Sequence, residues 1–211
     1  MTIPTKYPAP PEAVVSYDFV DFAAGTGVET FYALTAVDTG GTNHLLSSSL
    51  EGIRSATVTT QLSASGGSNT TLNFDLTAFN TPRTVRGTAY ISVSIGCHNT
   101  NVGNVSAEFF HWDGTTATSI SSEITSSNFT GSSGAETGAE DFLLEVPLTE
   151  TSFKVGEQLR LAIKLTKVSG GAAEIVEVGH DPNDRDGSKI LPASSTHTTI
   201  LTADVPFKID N

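Results

Sequence analysis

EQLRLAIKLTKV, residues 157–168, sets Leu159, Leu161, Ile163 and Leu165 at every second position, with Arg160 and Lys164 between them. Successive side chains of a strand point to opposite faces, so this spacing predicts a strand with one apolar and one solvated face. TLNFDLTAF, residues 71–79, repeats the pattern: Leu72, Phe74 and Leu76 share one face, Asn73, Asp75 and Thr77 the other. In TVRGTAYISVSIG, residues 84–96, Val85, Ala89, Ile91, Val93 and Ile95 fall in one phase. Gly87 occupies that phase too and marks a bulge or a close backbone approach.

Outward from these stretches the chain reads as short apolar segments between turn clusters. VETFYALTAV (28–37), IRSATVTTQLS (53–63), VSAEFFHW (105–112), FLLEVPL (142–148), AEIVEV (173–178) and TILTADVPFKI (199–209) are the segments. DTGGTNH, ASGGSNT, NTPR and Asp113-Gly114 are among the turns, the last a strong hairpin signal. Pro147 places its segment at a sheet edge or a strand end. SSNFTGSSGAETGAE, residues 126–140, is the longest stretch without a pattern and reads as a loop. No amphipathic helix of ten residues emerges. The expectation is an all-β fold: a single jelly-roll-like β-sandwich of about a dozen short antiparallel strands. It would occupy residues 13–211. Residues 1–12, with Pro4, Pro8, Pro10 and Pro11, read as an extended N-terminal arm outside the sheet.

Composition narrows the function. The 211 residues include 30 Thr, 23 Ser and 19 Gly, while only 16% are charged, below the usual share of about 25%. Acids outnumber bases 23 to 11, giving a net charge of -12, and no Lys or Arg lies between Arg86 and Lys154. Such a chain has no electrostatic footprint for nucleic acid or for an anionic membrane. No apolar run approaches the about 20 residues of a membrane span. One cysteine, Cys97, gives no intramolecular disulfide, and MTIPTKYPAPPEAVV lacks the apolar core of a secretory signal. The chain is therefore expected to be made in a reducing cytoplasm, with a surface composition like that of proteins facing the outside world. The sequons at Asn69, Asn104 and Asn128 are expected by chance in a chain so rich in Ser and Thr.

The search for chemistry finds no catalytic motif, and the expectation is that the protein is not an enzyme. There is no G-x-S-x-G elbow, and the adjacent Cys97 and His98 point to opposite faces of a strand. Cys97 reads as a small packing residue. His44, His98, His111, His180 and His197 lack zinc-site spacing, and Gly25-Thr26-Gly27 lacks the rest of a phosphate cradle. No cofactor is expected, with one open question. In GHDPNDRDG, the side chains of Asp181, Asn183, Asp184 and Asp186 offer oxygen ligands suited to calcium, against the simpler reading of a capped Asp-Pro turn. Phe110 and Trp112 share one strand face, with Phe109 and His111 on the other, so an exposed Phe110–Trp112 pair would stack on a sugar ring.

FKVGEQLRLAIKLTKVSGG, VEVGHDPNDRDG and TTILTADVPFKID resemble the closing strands of jelly-roll virion proteins, with a Gly-x-x-Leu-x-Leu strand, a His-Asp-Pro loop and a final Val-Pro-Phe-Lys-Ile strand. The opening YDFVDFAAGTGVETFYAL has a similar character, and the likeness covers about half of the chain. It implies a structural protein of a bacterial or archaeal virus, a capsid decoration (cement) or capsid subunit, with no catalytic residue carried over. Its partners would be capsid proteins or copies of itself on a lattice, met through residues 2–12 and the 126–140 loop. Its location would be the virion. The alternative is a carbohydrate-binding β-sandwich module with a structural cation, using Phe110 and Trp112.

Overall fold

The computed structural model describes residues 26–37, 43–49, 59–63, 65–131, 137–171, 175–179 and 199–208. Thirteen strands follow in chain order: β1 Thr26–Val37, β2 His44–Ser47, β3 Thr59–Leu62, β4 Ser68–Leu76, β5 Arg83–His98, β6 Val102–Trp112, β7 Ala117–Ser119, β8 Ile124–Thr125, β9 Phe129–Thr130, β10 Thr137–Phe153, β11 Gln158–Ser169, β12 Val176–Gly179 and β13 Leu201–Lys208. No helix occurs among the described residues, so the all-β expectation holds.

The strands form one hydrogen-bonded path, β3-β12-β5-β13-β1-β2-β4-β11-β6-β7, with β10 on the free side of β5 and β8 and β9 further along β6. The sheet curls so that β10 comes up to the segment beside β6. Ser121 bridges Leu148 of β10, Thr149 N donates to Ile120 O at 2.8 Å, and Ile120 N donates to Phe109 O at 2.9 Å. The core lies inside the curl. Leu159, Leu161, Ile163 and Leu165 of β11 are fully buried there, in one cluster with Ile91, Val93 and Ile95 of β5 and with Phe109 of β6, the lateral partner of Leu161. Each such aliphatic side chain contributes about 1.5–3 kcal/mol by leaving water.

Two expectations about the strands are corrected. They are not all short: β5 has 16 residues and β10 has 17, paired from Thr137↔His98 to Phe153↔Arg83. They are not all antiparallel either, because β2 pairs β4 in parallel at His44↔Phe74 to Leu46↔Leu76. Gly87 explains how strands of this length follow the curl. Its φ is +115°, and a Cβ there would stand 3.3 Å from Pro206 Cγ. The register slips beside it on both neighbours, between Leu148 and Thr151 of β10 and between Asp204 and Phe207 of β13. The close approach expected of this glycine is present, together with the bulge.

The 126–140 loop is also corrected. Phe129–Thr130 forms β9 against Val102–Gly103, and β10 begins at Thr137. Phe129 and Phe142 pack partly buried against the core, which draws both flanks of the segment onto the sheet. Pro147 pairs with Thr88 of β5, and on its other side β10 meets, among the described residues, only a short bridge, Ser121↔Leu148, so Pro147 lies close to a sheet edge, as expected. The Asp113 turn holds as well. Asp113 Oδ1 accepts from Thr115 N and Thr116 N at 2.8 and 2.7 Å, and from Thr115 Oγ1, which holds its carboxyl down at about 2. Residues 1–12 and 181–187, with the calcium candidates Asp181, Asn183, Asp184 and Asp186, lie outside the described residues.

Candidate binding face

Strands β4, β11 and β6 lie side by side, and their register stacks the outward side chains into rows. Asp75, Arg160 and Phe110 form one row, Asn73, Ala162 and Glu108 the next, and Thr71, Lys164 and Ser106 the third. These are the non-core positions of the alternating segments read from the sequence. All of these except Asp75, together with Ala117 of β7 and Glu123 before β8, line a recess of about 320 Å³. Its length along β11, from Arg160 to Lys164, is about 13 Å at the usual strand rise.

Charge is concentrated at the two ends of this recess. At one end Arg160 Nε and Nη2 donate to Asp75 Oδ1 and Oδ2 at 2.6 and 2.8 Å, a bidentate pair almost closed to solvent. Asp75 Oδ2 also accepts from Asn43 Nδ2 at 3.1 Å, and the Arg160 guanidinium lies 4.3 Å from the centre of the Trp112 ring. At the other end Lys164 Nζ stands 3.1 Å from Glu123 Oε1, and Ser106 Oγ donates to the same oxygen at 2.6 Å. The Ser106 hydroxyl first, and Lys164 after it, hold the Glu123 carboxyl below its ordinary range. Glu108, between the ends, accepts from Ser119 Oγ at 2.6 Å.

The alternation Phe109/His111 against Phe110/Trp112 holds. Phe109 is fully buried, while Phe110 and Trp112 lie half-buried on the outward side. Phe110 lines the recess. Trp112 is not equivalent to it, because one face of its ring already carries Arg160. His111 turns the other way, toward Glu157 Oε2 at 2.7 Å and edge-on to Phe153. Cys97 is buried as expected of a packing residue, and burial pushes its thiol up to about 12. Among the described residues no group of three His, Cys, Asp or Glu side chains stands ready for a metal ion.

Sequence reading placed Asp75, Arg160 and Lys164 outward but did not join them. Asp75 and Arg160 are 85 residues apart and become neighbours only through the β4–β11 pairing. Glu123 carried no signal, because it lies in a connection between two very short strands.

No protein-family model and no curated protein matches the chain. Among solved structures it is similar to a CocE/NonD family hydrolase from Staphylococcus aureus, with 10% identity and a TM-score of 0.49, over 84% of this chain and 36% of that one. It is similar to an aminopeptidase from a marine sediment Thaumarchaeota archaeon, with 8% identity and a TM-score of 0.42, over 65% of this chain and 26% of that one. A third match is the infectious bursal disease virus Gx strain structure, with 10% identity and a TM-score of 0.26, over 72% of this chain and 36% of that one. The chain thus spans about a third of the chains it resembles. The expectation that the protein is not an enzyme is corrected here, since the first structures matched are hydrolases. At these TM-scores the likenesses carry no argument for a particular activity.

Proposed function

We propose that this chain is a recognition protein, a jelly-roll-like β-sandwich whose outward β4-β11-β6 face takes a short glycan. The carrying observation is the recess of about 320 Å³, with Phe110 in its lining and a paired acid and base at each end. Sugars offer hydroxyls in every direction and flat C–H faces. The first suit fixed carboxylates, guanidinium and ammonium groups, and the second an aromatic ring. Arg160, held by Asp75, and Lys164, held by Glu123, present donors whose geometry is set before a ligand arrives, which reduces the ordering cost of binding.

A glycan array probed with the full chain is the test, followed by calorimetry on any hit. Phe110→Ala is expected to weaken binding roughly tenfold, equivalent to about 1.4 kcal/mol, without unfolding the protein. Folded protein that binds no glycan on the array ends this reading.

A second reading, assembly into a viral capsid lattice with capsid proteins or copies of this chain, is favoured by the open side of β10. Leu143 on that strand is 63% exposed, and Tyr90, diagonal to it on the outward face of β5, is 41% exposed. Outside the Ser121↔Leu148 bridge this edge has no strand partner among the described residues, and such an edge beside exposed apolar side chains is a ready surface for another sheet. Light scattering is expected to find an oligomer that Leu143→Glu reduces to monomers. A wild-type chain that stays monomeric at every concentration, and does not sediment with viral particles, excludes it.

A further inference from the structure

Away from the β4-β11-β6 face, two charged residues stand where the alternation calls for apolar ones. Glu29 lies two residues before buried Phe31 on the inward row of β1, and Arg83 two before buried Val85 on the inward row of β5. Both rows run out at the same end of the curled sheet, where Leu76 ends the inward row of β4. With Phe31, Phe79 and Asn80, these three residues line a pocket of about 190 Å³, room for about six waters. Glu29 and Arg83 are the one acid and the one base in its lining, so its charge sums to zero. The pocket shares no lining residue with the outward recess.

The acid and the base face each other without closing. Arg83 Nη1 stands 3.6 Å from Glu29 Oε2, beyond a hydrogen bond. Among the described residues neither the carboxylate nor the guanidinium has a hydrogen-bond partner. The Glu29 side chain is nevertheless only 24% exposed, and burial pushes its carboxyl up more than the charge of Arg83 draws it down. A carboxylate withdrawn from water without a donor has a desolvation cost that nothing within the chain offsets. The guanidinium is steadied from its other side by the Phe207 ring, whose centre is 5.5 Å away. The floor is fixed as well. Phe31 and Leu76 are buried, and Phe79 is tied to the turn between β10 and β11, its N donating to Glu157 O and its O accepting from Gly156 N, each at 2.9 Å.

From this geometry we propose that the pocket binds a free apolar α-amino acid of about the size of leucine, its ammonium on Glu29 and its carboxylate on Arg83. Such a zwitterion carries its two charges one carbon apart. Laid antiparallel beside the Glu29–Arg83 pair, it gives each protein charge a partner at hydrogen-bond distance, and the signs of the four groups alternate. Its side chain rests on Leu76 and Phe79, where apolar surface leaves water. A peptide does not replace it, because either end of a peptide presents one charge with an amide in place of the other.

Nuclear magnetic resonance of the isotope-labelled full chain, titrated with L-leucine, tests this. Saturable amide shifts are expected at the ends of β1, β4 and β5 that border the pocket. Isoamylamine, which is leucine without its carboxylate, and isocaproate, which is leucine without its ammonium, are each expected to bind at least about tenfold more weakly. Glu29→Gln and Arg83→Gln are expected to weaken L-leucine binding by a similar factor, with the remaining spectrum unchanged. Should a variant fail to fold, the comparison of leucine with its two analogues on the wild type decides by itself. Absence of saturable shifts with L-leucine overturns the proposal. So does an analogue that binds as tightly as leucine, or a folded variant of either residue that binds leucine like the wild type.

Discussion

Phe153→Ala is expected to destabilise the protein by about 3–5 kcal/mol, read as a lower midpoint in urea with an unchanged slope. Phe153 is 1% exposed at the end of β10, where the curled sheet closes. Its ring meets Phe79 edge-on at 5.1 Å and His111 at 4.8 Å. Phe79 continues to Phe207 at 6.1 Å, and Phe207 to Phe31 at 6.0 Å. The rings form a chain from β1 and β13 on one side of the core to β6 on the other. Removing Phe153, the ring that joins Phe79 to His111, leaves a cavity bordered by strands whose hydrogen bonds resist collapse, which puts the cost toward the upper part of that range. A loss below about 1 kcal/mol would mean that the closure does not depend on this cluster.

Asp75→Ala is expected to cost about 3 kcal/mol and to release Arg160 from its place over Trp112. The two side chains of the pair are only 7% and 11% exposed, so removing the carboxylate leaves a guanidinium with little water and no counter-charge. The loss falls on the Asp75 end of the recess, so any glycan binding is expected to weaken together with stability. The discriminating control is Asp75→Leu combined with Arg160→Met, which removes both charges and is expected to recover most of the stability while leaving the recess without that donor. Chemical denaturation of the three proteins is the measurement. Equal stability of Asp75→Ala and the wild type would show that solvent reaches the pair more freely than its burial indicates.

The fold class was legible because alternation survives wherever one face of a strand is buried. Leu159 to Leu165, Leu72 to Leu76 and Val205 to Phe207 all sit as their spacing predicts. What escaped has physical causes. The parallel pairing of β2 with β4 leaves no local mark, because a four-residue strand has too few positions to reveal its partner. The 126–140 segment looked featureless since Ser, Thr and Gly carry no phase, yet its flanks at Phe129–Thr130 and from Thr137 pair on the sheet, with Phe129 and Phe142 packed against the core. Lys167 was the most informative residue to be passed over. It continues the inward phase of Leu165 and is fully buried, although lysine is rarely found inside. The recess was half legible: each outward residue was in view on its own strand, but the rows exist only once β11 lies between β4 and β6.

The position of β13 has a consequence for biosynthesis. In the ladder, residues 201–208 separate β1 from β5 and hydrogen-bond to both. A polypeptide leaves the ribosome with its amino end first, so β1 and most of β5 emerge long before the strand that must lie between them. Until residue 208 clears the exit tunnel, two long strand edges wait without their partner, and a premature pairing of β1 with β5 would have to be undone. Folding of β1 and β5 therefore depends on a strand made well after both, and the exposure of their edges to aggregation or to chaperone capture is set by how quickly that segment follows them.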